Sequence, residues 1–135
     1  MILTIFCDGG SRNNPGDAAY GFVVYKEGKE IFKNGEKIGI ATNNVAEYTA
    51  IVKALIWVKE NMTTSTEVHF FLDSALAVNQ MKGIFKVRNE GLRSLYFTVK
   101  SLEKIMGIKT VYTAIPREKN KEADRMVNLA LDGKI

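Results

Sequence analysis

The chain has 135 residues, 46% hydrophobic and 25% charged, with 19 Lys and Arg against 15 Asp and Glu for a formal charge of +4. This is about the length of one domain and the composition of a packed core, which excludes a disordered chain. The single cysteine, Cys7, excludes an internal disulfide or a cysteine-ligated zinc site, and no apolar run reaches the roughly 18 residues that span a bilayer, so a reducing, cytoplasmic setting is expected.

Ile2–Cys7 is a β-rich run with hardly a polar residue, which predicts a strand covered on both faces. It stops at Asp8 and lacks a basic leader, so it does not read as a signal peptide. Asp8–Gly16 is dense in turn formers and is expected as a loop. Ala19–Lys26 and Glu30–Lys37 read as a hairpin turning at Glu27-Gly28-Lys29. From Asn44 to Asn61, Val45, Tyr48, Val52 and Leu55 recur at helical spacing, with Ile51 and Val58 widening the stripe.

Thr66–Leu72 reads as another buried strand, running into Asp73-Ser74, which can cap a short helix over Ala75–Met81 that Gly83 ends. A helix over Glu90–Met106 turns Leu92, Leu95, Tyr96, Val99 and Leu102 inward. Lys109–Ile115 is the last strand, Pro116–Lys121 a loop, and Glu122–Leu131 a closing helix. Three strands followed by alternating helices and strands predict one α/β domain over residues 1–135, a mixed sheet with helices on both faces.

Four acids stand where solubility does not ask for them. Asp8 and Asp73 each end an apolar strand, Glu47 lies beside the stripe of the long helix, and Asp124 is near the start of the last one. Strand ends of an open α/β sheet face the ligand crevice, so neighbouring first and fourth strands would set Asp8 beside Asp73. Carboxylates gathered in one pocket repel unless a cation joins them, and oxygen-only ligands favour Mg²⁺ or Mn²⁺ over zinc. Taken singly, each acid also reads as a helix cap or a surface charge.

Charge is unevenly placed. Residues 1–67 hold seven basic and eight acidic residues, whereas 68–135 hold twelve and seven. Within Lys82–Lys100, the cations Lys82, Lys86, Arg88, Arg93 and Lys100 face only Glu90. This stretch reads either as a solvated surface or as a patch for phosphates.

Asp8-Gly-Gly-Ser11, Asn14-Pro-Gly16, Tyr20-Gly21, Thr42-Asn-Asn-Val-Ala-Glu47-Tyr48, Asp73-Ser74 and the run from Pro116 through Asn120 to Asp124 follow one another in the order and spacing of a known family. Together they resemble type 1 ribonuclease H, in its compact archaeal and bacterial branch without the basic protrusion, over essentially the whole chain. The resemblance implies an RNase H-like fold with a five-stranded mixed sheet, its first three strands antiparallel. It also implies hydrolysis of the RNA strand of RNA–DNA hybrids, leaving 5′-phosphate and 3′-hydroxyl ends, by a monomer needing no protein partner. Two Mg²⁺ ions, with Mn²⁺ as a substitute, would be held by Asp8, Glu47, Asp73 and Asp124. Ions roughly 3.5–4 Å apart can activate water on one side and stabilise the leaving oxygen on the other.

By the same resemblance, Asn14, Asn43 and Asn44 match readers of the minor groove and the 2′-hydroxyl, with Gly9, Ser11 and Asn13 on the same loop. Amides suit that task because they donate and accept. Thr42 matches a DNA-phosphate position, assisted by Asn89, and Lys86 and Arg88 would grip the hybrid. The family's loop histidine is absent, leaving Arg117, Glu118 or Asn120 as auxiliary groups for product release. Ile40 stands where an arginine is common, Ala75 and Leu76 replace larger groups, and Trp57 reads as core. His69 reads as structural. Three alternatives stay open at this point: a binding module without activity, a nuclease of this fold acting on duplex DNA or duplex RNA, and a scaffold using its acids structurally.

Overall fold

A computed structural model of the chain describes residues 1–62 and 66–135. Three strands form an antiparallel meander: β1 (Ile2–Arg12), β2 (Gly16–Lys26) and β3 (Lys29–Ala41). The turn between β2 and β3 is two residues, Glu27 and Gly28, both at positive φ, the geometry that suits the twist of a tight hairpin. Then follow α1 (Asn43–Asn61), β4 (Glu67–Leu72), α2 (Ala75–Met81), α3 (Glu90–Met106), β5 (Lys109–Ala114), a 3₁₀ turn at Arg117–Lys119 and α4 (Lys121–Leu131). The sheet order is β3-β2-β1-β4-β5, with β4 parallel to β1 and β5 parallel to β4. This is the expected five-stranded mixed sheet, and β1 and β4 are neighbours as the placing of Asp8 beside Asp73 requires.

The loop expected at Asp8–Gly16 is mostly sheet. β1 runs on through Gly9, Gly10 and Ser11 to Arg12, paired with Asp17–Gly21 of β2, and only Asn13, Asn14 and Pro15 turn. Asp8 therefore lies in mid-strand. What stops near it is the pairing to β4, whose last β1 partner is Phe6 opposite Phe71. Gly9 opens room for α1 instead of bending the chain, and the ladder to β2 continues unbroken through it and Gly10.

The two faces differ. Leu3, Ile5 and Cys7 of β1 are fully buried with Tyr48, Ile51, Leu55 and Val58 of α1, and α3 packs on α1 through Leu92 and Val99. α4 lies on the opposite face across β1, β2 and β3, with Val127 and Ala130 against Ala19. Thr4 and Phe6 are only half-buried, so β1 is not covered on both faces along its length. β4 likewise alternates buried Val68, Phe70 and Leu72 with half-buried Glu67, His69 and Phe71, because α4 stops short of that end of the sheet. His69 bonds Glu67 at 2.8 Å, which also pairs with Lys109, a structural role. Trp57 stacks on Phe32 at the edge of the core. Among the described residues no helix is long and apolar enough to cross a membrane.

Gly9 sets how close α1 comes to the sheet: a Cβ there would sit 2.2 Å from the carbonyl carbon of Ala46 and 2.3 Å from the amide nitrogen of Glu47. Both are backbone atoms and cannot rotate aside. Gly9→Ala is therefore expected to exceed the ordinary overpacking penalty of about 1–3 kcal/mol. Urea unfolding would show it as a fall in midpoint.

Candidate active site

Asp8 is 8% exposed and Glu47 9%. Their placement follows from sheet alternation. Gly9 backs onto α1, so Asp8 points to the other face beside its cross-strand partner Gly21. A Cβ on Gly21 would lie 2.7 Å from the carbonyl oxygen of Ala123, which shows how closely the first turn of α4 approaches. That approach brings Asp124 alongside. Asp73 follows the last residue of β4, and Ser74 caps α2 by accepting the Ala77 N–H at 3.1 Å.

One carboxylate oxygen each from Asp8, Glu47 and Asp73 lie within 4.8 Å of one another. Asp124 stands outside this trio, half-buried, but near enough that its charge bears on Asp8. Burial first, then the charge of Asp73, pushes Asp8 up to about 8, against the pull of the Gly9 N–H. Burial also pushes Glu47 up to about 7, helped by Asp73 and opposed by a hydrogen bond from Ser74 and the charge of Arg117. Oε2 of Glu47 is buried with no hydrogen-bond partner among the described residues. An unpartnered buried carboxylate oxygen beside two further carboxylates, all hard oxygen donors, fits a hard divalent cation.

Around the trio, amides tie neighbouring elements together. Asn43 Oδ1 accepts the Ser11 N–H at 2.8 Å and its hydroxyl at 3.3 Å, and Asn14 Oδ1 accepts the Asn43 N–H at 3.0 Å. The β1–β2 turn, where Asn13 has φ 75°, is thereby braced to the start of α1. Asn43 and Glu47 are four residues apart and share a helix face. Asn44 adjoins them, half-buried. Thr42 caps α1, its Oγ1 accepting the Val45 N–H at 3.2 Å, and Asn89 caps α3 through Leu92 at 3.1 Å.

Lys86 and Arg88 are exposed on the loop between α2 and α3. With Phe85, Arg93, Tyr96 and Phe97 they line an open groove of about 540 Å³. Gln80 fastens this loop to α1, accepting from Tyr48 and donating to the Lys86 carbonyl at 3.5 Å. Lys100, counted with this basic stretch in the sequence, is turned inward instead. It donates to the Met81 carbonyl at 2.7 Å, pairs with Glu103 and lies over the rings of Tyr96 and Tyr112.

The 3₁₀ turn separates the three auxiliary candidates. Arg117 is near enough to Glu47 to act on it, Glu118 borders a pocket with Phe6 and Tyr25 that Asn120 also lines, and Asn120 is 1% exposed. Sequence reasoning missed Asn128, whose Nδ2 donates to Oδ2 of Asp124 at 3.4 Å; the four-residue spacing on a helix was its signal.

A carboxyl whose folded value is raised binds more protons folded than unfolded, so its contribution to stability is present at low pH and is lost as pH rises. For Asp8 the window runs from 3.8 to about 8, and for Glu47 from 4.5 to about 7. Metal-free protein should therefore melt progressively lower from pH 5 to 8 in EDTA. Asp8→Asn should flatten that slope and raise Tm at pH 8 by roughly 3–5 °C, about what 1 kcal/mol is worth at this size.

Residues 2–131 match the family model described as RNase H. The chain is 38% identical over 134 residues to a bifunctional protein of Mycobacterium tuberculosis, covering 98% of this chain but 36% of that protein. It is 36% identical over 129 residues to ribonuclease HI of Halobacterium salinarum, covering 94% of this chain and 63% of that one. The chain thus spans about a third of the mycobacterial relative's length. Among solved structures it is similar to LC11-RNase H1 in complex with RNA/DNA hybrid, with TM-score 0.92, 36% identity and 97% of each chain covered. The acid trio on β1, α1 and β4, and the sheet that assembles it, thus accompany a match over nearly the whole sequence: the chain belongs to the RNase H family, in its type 1 branch.

Proposed function

We propose that residues 1–135 form one catalytic domain that hydrolyses the RNA strand of RNA–DNA hybrids, leaving 5′-phosphate and 3′-hydroxyl ends. Asp8, Glu47, Asp73 and Asp124 are the ligands for two divalent ions, Mg²⁺ in the cell and Mn²⁺ as a substitute. When bound, the ions would supply an activated water and charge stabilisation for the leaving 3′ oxygen. The observation that carries the reading is the clustered trio of Asp8, Glu47 and Asp73, in which Glu47 Oε2 is buried without a partner among the described residues.

The chain's own residues do the rest. β1, α1 and the end of β4 hold three carboxylates at fixed separation on rigid elements, so no side chain has to be gathered when substrate arrives. Asn128 steadies the fourth. Asn14 and Asn43 spend their carbonyl oxygens bracing α1 and β1 to each other, Asn14 on the α1 N–H of Asn43 and Asn43 on the β1 Ser11, which leaves their N–H₂ groups to meet a 2′-hydroxyl, the group that distinguishes RNA from DNA. Asn44, Ser11 and Asn13 flank them, and Gly9 serves by letting α1 approach. Thr42 and Asn89 hold helix N-termini where a DNA phosphate would meet backbone N–H groups.

Lys86 and Arg88, with Arg93 beside them, grip the hybrid through phosphates, while Phe85 and Phe97 offer apolar walls. Arg117 is the group placed to act on the product end, being the one of the loop candidates whose charge reaches Glu47. One buried thiol suits a reducing cytoplasm.

A labelled RNA–DNA hybrid should be cut with Mg²⁺, and Asp73→Asn should lower turnover by roughly 10³-fold, the several kcal/mol a metal ligand supplies. Duplex DNA and duplex RNA run in parallel should survive; equal cutting of duplex DNA would sink the substrate assignment. Lys86→Glu and Arg88→Glu should each raise KM and flatten the log–log salt dependence of binding by about one, with kcat at saturation retained. Salt-independent binding would count against this grip.

A further inference from the structure

Asn120 stands at the junction of three of the four acidic positions. Its Nδ2 donates to the carbonyl oxygen of Cys7 at 2.9 Å and to Oδ2 of Asp73 at 3.2 Å. Its backbone carbonyl accepts the N–H of Asp124 at 3.1 Å, opening α4. Cys7 is the residue before Asp8, and its carbonyl lies just past the point where β4 stops pairing with β1. The amide thus supplies the donor that β4 no longer provides. One side chain fastens the strand that carries Asp8 to the carboxylate of Asp73.

The other end of the same amide is unusual. Oδ1 of Asn120 is buried and has no hydrogen-bond partner among the described residues. A desolvated acceptor left unpaired counts against stability. The unpaired oxygen offsets part of what the two donated bonds contribute, and both of those bonds go to the acid site. The residue type also suits that site. A lysine would neutralise Asp73 and compete with an incoming cation, an aspartate would add a further like charge, and a neutral donor does neither.

We propose that Asn120 is a positioning residue for the metal site: its N–H₂ fixes the separation and orientation of Asp8 and Asp73 before an ion arrives. This rests on the assignment of Asp8, Glu47, Asp73 and Asp124 as metal ligands. Groups that hydrogen-bond a ligating carboxylate typically govern metal affinity by about 10–100-fold. The role is distinct from product release, which needs an exposed and movable side chain, and Asn120 is neither.

The test is Mn²⁺ titration by calorimetry of the full chain, well below the melting temperature of every variant, with kcat and KM on hybrid measured alongside. Asn120→Ala removes both donors and should weaken Mn²⁺ binding by roughly 10–100-fold. It should lower kcat at fixed subsaturating metal and leave KM for hybrid unchanged. Asn120→Ser keeps one hydroxyl donor, so it should fall between. If the folded variants bind Mn²⁺ within twofold of the unsubstituted chain, Asn120 is only a structural link and the proposal is overturned. Should Asn120→Ala not fold, Asn120→Ser decides by the same criterion. An unsubstituted chain that takes up no Mn²⁺ overturns the metal-site assignment itself, and this proposal with it.

Discussion

Three carboxyls crowded together, two of them buried, set the terms for the rest of this molecule. Two unit charges about 4 Å apart would repel by about 4 kcal/mol at an effective dielectric of about 20; with burial, that cost is why Asp8 and Glu47 hold their protons up to about 8 and about 7. Each of the three is mounted on a rigid element, so none can swing away to relieve the strain. Asp8 is in a strand paired on both sides almost up to its position, Glu47 is in the second turn of a buried helix, and Asp73 immediately follows a central strand. The fold resists the repulsion with its largest buried side chains, Tyr48, Ile51 and Leu55 among them, on the helix that carries Glu47. The unfavourable charge arrangement and the strongest packing are therefore on the same helix.

Most of the fold was legible in the sequence because hydrophobic periodicity is a direct imprint of burial. The spacing of Leu92, Leu95, Tyr96, Val99 and Leu102 placed α3 at about Glu90–Met106, and the structure adds what bounds it, an Asn89 cap before and Gly107 in the left-handed region after. β1 was the main misreading. Its second half, Asp8–Arg12, contains two glycines and a serine, which by propensity turn, but here they fill a strand that must leave room for α1 at Gly9. Propensity describes a residue's own backbone, and it is silent about a helix passing overhead. The burial of β1 and β4 was overstated for the matching reason: an apolar run shows that a strand is covered, without saying how far the covering helix extends.

At the site, Asp8, Glu47 and Asp73, the three acids that cluster, stood out in the sequence because carboxylates next to apolar runs are conspicuous. The amides were harder to separate. Thr42 and Asn89 spend their side-chain oxygens capping helices, Asn14 and Asn43 brace a turn, and Asn120 lies buried between two strands. In sequence all of these are small polar residues near motifs. Only position in the fold tells a cap from a brace or a tether. The cations needed the same sorting, since Lys100 is held between two tyrosine rings while Lys86 and Arg88 remain on the surface.

β3 is 13 residues long and lies at the open margin of the sheet, where unpaired backbone groups could recruit a strand from another molecule. Five of its residues are charged: Lys29, Glu30, Lys33, Glu36 and Lys37. Its register against β2 also slips at two places, Ala18/Ala19 and Val24/Tyr25, which twists the margin out of the flat shape that stacking requires. A long strand ending a sheet is a standing invitation to aggregate, and here the charges and the irregular register together withdraw it. The molecule can therefore keep its meander as an open edge, without a further helix or strand to shield it.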